Sequence, residues 1–294
     1  MEQKISIVIP TKDRENQLNN LLTSIYASSI QPKEVIVINN STNKLNTSFS
    51  ECKIHDNSIN KGLAQARTLG ATMARGKYVL FVDDDNVLDP NLLLNLQITL
   101  DNNNDVMAVG PITYYLSDKK TIWFLSGGIN LMTSKAFFNR ELAHQNDIFY
   151  DTNILHNCFL IRKNLGDEVG WFDERIFMSG TEFDLFKKIS KMNKSKRLVT
   201  NVEAKCYHDI PQKNKDILRN YGFSNELRVY YFQRNRGLIV GKYGTLLNKI
   251  ALGFVFYPLF FITYGLLFFL TLKPKYFLSH LKATISGYYY LISS

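Results

Sequence analysis

A chain of 294 residues, 45% hydrophobic and 21% charged, can bury one substantial core, which excludes a disordered or fibrous protein. Three widely spaced cysteines, Cys52, Cys158 and Cys206, form no CxxC pair and no even framework. This excludes a disulfide scaffold, argues against zinc and fits reduced cytoplasmic thiols. The net charge of +9 is uneven: Lys+Arg against Asp+Glu runs 14 to 15 over residues 1–150, 3 to 7 over 151–186, 15 to 4 over 187–249, and 3 to 0 over 250–294. The basic excess lies just before and within an apolar C-terminus, where it attracts anionic lipid by about 1 kcal/mol per basic residue near the surface. Nucleic acid is the other partner for such a patch, but the uncharged apolar stretch that comes next speaks against it.

The N-terminus passes from Met1-Glu2-Gln3-Lys4 directly into Ile5–Ile9, a buried-strand pattern without a signal peptide's longer apolar core and cleavage site. The catalytic part is therefore expected to stay in the cytoplasm. Leu18, Leu21, Leu22 and Ile25 then repeat at helical spacing, Val35–Ile38 reads as a second strand, and Leu63, Ala66, Gly70 and Met73 as a second helix. Tyr78–Val82 is a third strand, Asp89-Pro90 an N-cap with proline opening a helix through Leu100, and Val106–Val109 a fourth strand. Alternating strands and helices predict βαβ units and a mainly parallel sheet, with ligands bound beyond the carboxyl ends of the strands. The polar groups on that edge are Pro10-Thr11-Lys12-Asp13-Arg14, Asn39-Asn40-Ser41 and Asp83-Asp84-Asp85-Asn86.

Asp83-Asp84-Asp85 comes after its strand without a break. Three carboxylates there repel one another, and a divalent cation removes the conflict; hard oxygen ligands suit Mg²⁺ or Mn²⁺ together with substrate phosphates.

On these residues the sequence resembles the family 2 glycosyltransferases, inverting enzymes of the GT-A fold, over about residues 4–245. The resemblance implies a nucleotide-diphospho-sugar transferase, a Rossmann-like mixed α/β sheet flanked by helices. Pro10, Thr11 and Arg14 match the nucleotide loop. Asn39 stands where the family has Asp in Asp-Asn-Ser, and Asn60-Lys61-Gly62 with Ala66-Arg67 and Gly70 matches a stretch whose Arg lies near the diphosphate, with Thr68 in place of Asn. Phe81-Val82-Asp83-Asp84-Asp85 matches the metal-binding D-x-D region: Asp83 and Asp84 on the donor side, Asp83 facing the ribose, and Asp85 holding the metal with Asp83. Gly170-Trp171-Phe172-Asp173-Glu174 resembles the family's V-G-G-F-D-E turn, and Thr181-Glu182-Phe183-Asp184-Leu185 departs from its G-E-D-x-D-L pattern. Glu182 is favoured as the base that deprotonates the acceptor hydroxyl, with Asp184 the competing candidate; helix capping is the structural reading of both. His208 is either a metal or diphosphate ligand or a structural histidine. Arg228 to Arg236 resembles an R-x-Y-Y-x-x-R-N-R segment, so Arg234 and Arg236 bind donor or lipid phosphate or belong to an interfacial basic helix. His156 borders the acceptor pocket by the same analogy.

Ile250–Leu272 carries no formal charge over 23 residues, about 35 Å as a straight helix, enough to cross a bilayer. A single crossing would put Lys273, Lys275 and Lys282 outside, against the positive-inside tendency, and Pro258 interrupts the segment, so a hairpin or monotopic anchor is favoured. Residues 276–292 read as an interfacial helix. The expected division is a catalytic domain over 1–245 and a C-terminal membrane anchor over 246–294. The expected function is metal-dependent inverting transfer of a sugar from a nucleotide donor to a lipid-linked or polysaccharide acceptor at the cytoplasmic face of the membrane. Polyprenyl-phosphate glycosyl synthesis is the second enzymatic reading, and a non-catalytic membrane scaffold of the same fold a third. A nucleotidyltransferase would open with a glycine-rich basic phosphate loop, which residues 10–14 lack.

Overall fold

The computed structural model describes residues 3–47, 49–143, 147–192, 196–212 and 216–294. The chain divides into two compact units, one of residues 1–128, 138–175 and 182–212, the other of residues 129–137, 176–181 and 213–294.

In the first unit the order is β1 (Ile5–Thr11), α1 (Glu15–Tyr26), β2 (Glu34–Asn39), β3 (Lys53–Asp56), α2 (Leu63–Met73), β4 (Tyr78–Val82), β5 (Asn86–Leu88), α3 (Leu92–Asn102), β6 (Val106–Tyr115) and β7 (Asp118–Phe124). After these come β8 (Ser126–Asn130) and β9 (Lys135–Asn139), which pair as a small separate sheet and of which residues 129–130 and 135–137 count with the second unit, and β10 (Phe149–Asp151). β11 (Cys158–Arg162), α4 (Lys163–Val169), α5 (Thr181–Met192) and β12 (Arg197–His208) complete the series. The main sheet runs β10-β12-β6-β11-β4-β1-β2-β3, with β5 on β12 and β7 on β6.

The apolar runs become strands because both faces of the sheet are covered, so continuous rather than alternating hydrophobicity is required. Tyr78, Leu80 and Val82 of β4 point into one core with Leu18, Leu21, Leu22 and Ile25 of α1. Val79 and Phe81 point into the other, with Ala64, Ala66 and Ala71 of α2 and Leu185 and Phe186 of α5. Each fully buried α1 leucine or isoleucine contributes about 1.5–3 kcal/mol. Phe81 is wholly buried and meets the rings of Phe159, Trp171 and Phe172 at 5.2, 5.6 and 5.1 Å.

Two expectations change. The sheet is mixed, as the resemblance implies, rather than the mainly parallel one that the alternation of strands and helices predicts: β1, β2, β3 and β4 are parallel, but β11 enters antiparallel between β4 and β6. Its first residues, not its last, therefore lie at the carboxyl edge of β4, with Cys158 opposite Val82. Helix α3 begins at Leu92 rather than Pro90. Asp89 Oδ1 accepts from the Asn91 N–H at 3.0 Å and the Asp89 carbonyl from the Leu92 N–H at 3.0 Å, closing a turn around the proline first.

The second unit is helical in its C-terminal part: α6 (Ile217–Asn220), α7 (Glu226–Tyr243), α8 (Leu246–Ala251), a π-helical turn (Leu252–Phe256), α9 (Tyr257–Leu270) and α10 (Pro274–Ser293). Thr245 and Asn248 form a reciprocal capping box at the start of α8. Pro258 does not break the helix. The π turn immediately before it absorbs the altered hydrogen-bond register that a proline imposes. Leu246–Leu270 is thus one helical run of 25 residues, long and apolar enough to cross a membrane. After Leu270 the chain reverses into α10 through Leu272, whose φ is +53°. Helix α10 lies against α7 at backbone contact, since a Cβ on Gly237 would overlap the Gly287 carbonyl oxygen.

Candidate active site

The site grows from the parallel edge of the first unit. Thr11 ends β1 opposite Asn39 at the end of β2, and the acidic turn comes directly after β4. Thr11 Oγ1 donates to Asp84 Oδ2 at 2.7 Å, and Arg14 Nη1 donates to Asp84 Oδ1 at 3.1 Å and Asp85 Oδ2 at 2.7 Å. Asp83 turns the other way, accepting from Arg67 Nη2 at 2.7 Å, while Arg67 Nη1 donates to Glu182 Oε1 at 2.6 Å. Arg67 is fully buried, flanked by the rings of Phe159 and Phe172 at 5.9 and 5.7 Å. Two arginines, rather than a cation alone, thus relieve the repulsion within the acidic turn.

These pairings set the electrostatics. Burial pushes the Asp84 carboxyl up to about 6, against the opposing pull of Arg14 and Thr11. Burial also raises Asp85, but the neighbouring His208 and Arg14 outweigh it and hold its pKa below the usual carboxylate range. For Glu182 burial is overcome by the Arg67 charge, then by His156, and the carboxyl is held down at about 2. Burial holds the pKa of the His156 imidazole below its ordinary value.

The two candidate bases on α5 separate clearly. Glu182 joins the ionic chain from Arg67 to Asp83. Asp184 is fully buried and lies 3.8 Å from Lys188 Nζ, which also donates to the backbone carbonyls of Val169 and Trp171. That arrangement ties α5 to the turn after α4.

His208 ends β12, and its Nε2 lies 3.2 Å from Asp85 Oδ1. The other ring nitrogen, His208 Nδ1, is buried without a hydrogen-bond partner. No group of three or more His, Cys, Asp or Glu side chains is arranged to hold a metal among the described residues. A carboxylate oxygen nevertheless matches the hard donors that Mn²⁺ and Mg²⁺ accept, and substrate phosphates commonly complete such a shell.

The Asn39 side chain is consumed internally. Its Nδ2 donates to the Asn43 carbonyl at 2.9 Å and Asp56 Oδ1 at 2.7 Å, and its Oδ1 accepts from the Ser41 N–H at 2.9 Å. It shapes the loop after β2. Next to that loop, Asp13, Arg14, Ser41, Asn43 and Leu45 line a cleft of about 370 Å³, the size class of a small-ligand pocket. Pro10 is buried within β1 on the same edge.

His156 is brought to the edge by the antiparallel entry of β11. Its ring meets those of Trp123 and Phe138 edge-on at 5.1 and 5.5 Å, and its Nδ1 is buried without a partner. Trp123 also meets His208 at 4.4 Å.

Arg234 and Arg236 belong to the second unit. Arg234 donates to Asn235 Oδ1 at 3.0 and 2.6 Å and stacks on Tyr231; Arg236 donates to Ser134 Oγ at 3.0 Å and lies 4.2 Å from the Phe260 centroid. Both are buried.

Three asparagines that the sequence motifs contain without a role of their own organise these neighbourhoods. Asn157, at φ +36°, accepts from the Asp83 N–H at 2.8 Å through its carbonyl and donates through Nδ2 to Asn86 Oδ1 at 2.8 Å. Asn86 Nδ2 in turn donates to the Asp83 carbonyl at 3.0 Å. In the second unit Asn235 Nδ2 donates to the carbonyls of Met178 and Ser179 at 2.5 and 3.1 Å. It fixes a segment where Ser179 and Gly180 both have positive φ and where a Cβ on Gly180 would strike Ile239. The available signal was weak: a residue able to occupy the left-handed region just before a strand, and an uncharged residue between two arginines.

Comparison with known proteins places this geometry among relatives. A family model described as Glycosyl transferase family 2 matches residues 6–167. The chain is 23% identical over 263 residues to a Haloferax volcanii protein named glucosyl-dolichyl phosphate glucuronosyltransferase, covering 74% of this chain and 84% of that one. It is 26% identical over 198 residues to the Streptococcus pneumoniae glycosyltransferase GlyG, covering 63% of each. In fold it is similar to a crystal structure of GalNAc-T7 with UDP, GalNAc and Mn²⁺, at TM-score 0.60 and 16% identity, over 78% of this chain and 47% of that chain. It is also similar to Staphylococcus aureus TarS in complex with UDP-GlcNAc, at TM-score 0.56 and 18% identity, over 96% and 81%. The chain thus spans less than two thirds of GlyG and about half of the GalNAc-T7 chain. The mixed sheet flanked by helices is a GT-A fold.

Proposed function

This chain belongs to glycosyl transferase family 2 and is a glycosyltransferase, and we propose that it transfers a sugar, with inversion and with a divalent metal, from a nucleotide-diphosphate donor to a lipid-linked or polysaccharide acceptor at the cytoplasmic face of the membrane. The observation that carries this reading is the ionic chain from Arg14 through the acidic turn to Arg67 and Glu182. It joins the proposed donor side of the site to the proposed base within one unit of the fold.

On this reading Pro10, Thr11, Arg14 and Asn39 form the nucleotide loop, and Asp83 and Asp84 meet the donor. Asp85 and His208 would hold the metal, which would stabilise charge developing on the departing diphosphate. Glu182 accepts the proton of the attacking acceptor hydroxyl, and Asp184 positions α5. Arg67 keeps Glu182 ionised. The name of the Haloferax relative, which refers to a sugar on a dolichyl phosphate, supports a lipid-linked acceptor. The Mn²⁺ bound with UDP in GalNAc-T7 supports metal use.

A thermal-shift series of nucleotide sugars with and without Mn²⁺ tests the donor half. Ligand at about 100 times its dissociation constant adds roughly 2.7 kcal/mol, and Asp85→Ala is expected to lose the metal-dependent part of that gain. No stabilisation by any nucleotide sugar would sink the reading.

One observation favours polyprenyl-phosphate glycosyl synthesis as a second reading. A carboxyl held at about 2 is a weak base, and a phosphate acceptor is already ionised and needs none. Glu182→Gln separates the two: activity collapses for a hydroxyl acceptor and survives for a phosphate acceptor.

A further inference from the structure

The second unit carries an apolar surface that its own fold leaves uncovered. Along the Leu246–Leu270 run, Tyr257, Phe260 and Phe268 are buried within the unit, at helical spacing on one side. The other side turns Phe254, Val255, Ile262, Leu266, Phe269 and Leu270 outward, from 56% to 82% exposed. Helix α10 repeats the pattern. Ala283, Gly287 and Leu291 are buried, whereas Leu278, Ile285 and Ile292, seven residues apart, are 55%, 65% and 82% exposed. A soluble surface of scattered single hydrophobics does not look like this.

The helices run antiparallel along much of their length. Tyr257 meets Tyr288 at 4.8 Å near one end, Phe261 meets Phe277 at 6.1 Å, and Phe268 meets Tyr276 at 5.8 Å near the other. Leu246–Leu270 is therefore not a lone apolar rod. Standing it across a bilayer would strip Tyr257, Phe260 and Phe268 from their partners and leave α10 behind on α7. The charge pattern points the same way. No acidic residue occurs from residue 227 to residue 294, while Lys273, Lys275 and Lys282 are exposed. Lys273 and Lys275 lie at the α9–α10 reversal, so a crossing would carry both through the hydrocarbon layer.

We infer that α8, α9 and α10 form an in-plane anchor, a helical hairpin that sinks its uncovered apolar side into one leaflet of an anionic bilayer while Lys273 and Lys275 remain at the headgroups and Lys282, on the side of Leu278 and Ile285, reaches them along its aliphatic stem. The partner is the lipid surface itself, entered and left from the same side. This deepens the membrane-face part of the proposed function and rests on it.

The test uses the full chain with vesicles of phosphatidylcholine, with and without phosphatidylglycerol. The native cysteines are buried, so single cysteines introduced at Thr245, Ile262 and Ser294 report by themselves. The chain is expected to float with anionic vesicles. Ile262→Cys, carrying a fluorophore, is expected to be quenched by lipid-borne nitroxide, while Thr245→Cys and Ser294→Cys both react with a membrane-impermeant thiol reagent added outside. Lys273→Gln with Lys275→Gln is expected to weaken binding to anionic vesicles about thirtyfold and to leave neutral vesicles unchanged. A Ser294→Cys that reacts only after detergent, beside a reactive Thr245→Cys, means a full crossing and overturns the inference. Failure to float, with a stable dimer by light scattering, assigns the apolar side to a second copy; failure to float as a monomer removes the membrane reading too. Stabilisation by nucleotide sugar, measured without vesicles, reports on the transferase reading independently of all three.

Discussion

Replacing Arg67 by Met removes one guanidinium and leaves two carboxylates, Asp83 and Glu182, facing the space it filled. The drop of the Glu182 pKa from 4.5 to about 2 corresponds to about 3 kcal/mol in favour of the carboxylate. Breaking a buried pair by removing one partner costs about 3–5 kcal/mol, so Arg67→Met is expected to fold with much reduced stability. The pH dependence distinguishes this from a packing defect. In the wild type the folded pKa of Glu182 is depressed, so its contribution is complete above about 4.5 and is lost as pH falls towards 2. In the variant, burial is uncompensated and the folded pKa rises above 4.5. Folded Glu182 then binds a proton that the unfolded chain has released, and stability falls as pH rises, by up to about 1.4 kcal/mol per pH unit. The assay is denaturant unfolding of both proteins from about pH 5 to about pH 8. The raised Asp84 carboxyl titrates in both and cancels in the difference, whereas Asp83, already raised by burial, loses the same guanidinium and steepens the slope. The double variant Arg67→Met, Glu182→Gln should recover part of the loss and flatten the slope. A difference between wild type and Arg67→Met that stays constant over this range would refute the electrostatic account.

Phe81→Ala empties the space where three rings converge and should cost about 3–5 kcal/mol in denaturant unfolding, with an unchanged m-value. Thr11→Val removes the hydroxyl that donates to Asp84, so the Asp84 carboxyl should titrate above its present value of about 6 in a carboxyl NMR titration, with a stability loss of about 1–3 kcal/mol. Gly287→Val drives a side chain into the Tyr257 hydroxyl, and limited proteolysis should then cut within residues 271–294 well before the wild type is touched.

Much of the donor edge was legible because its signals are local. Tyr78–Val82 and Leu63–Met73 were readable to the residue from a five-residue apolar run and a helical repeat. The acidic turn announced itself by its place directly after a buried strand. Arg67 was legible too from its place on α2: it lies four residues from Leu63 and three from Gly70. It therefore shares the helix face that packs inward, and a cation on such a face implies buried acids waiting for it. The antiparallel entry of β11 could not be seen, because Cys158–Arg162 is equally apolar in either direction and its pairing with β4 is set by residues 80 positions away. The roles of Asn86, Asn157 and Asn235 could not be read for the same reason. A lone amide has no pattern, and its meaning comes from carbonyls brought near by the fold. The C-terminus was legible in composition but not in shape, since a charge-free run of 23 residues does not reveal which of its sides its own neighbours will cover.

The reversed strand β11 has a consequence for how such a site can diversify. A parallel strand would deliver to this edge only the residues after it in the chain, and would bind the loop there to the helix that leads back. An antiparallel strand delivers the residues before it. The stretch between β10 and β11 therefore ends at His156 and Asn157, beside the acidic turn, while β11 itself is clamped between β4 and β6 and passes straight into α4. Length and composition can change upstream of His156 without shifting the ladder that holds Asp83 in place. One wall of the cleft can be rewritten while the opposite wall keeps its grip.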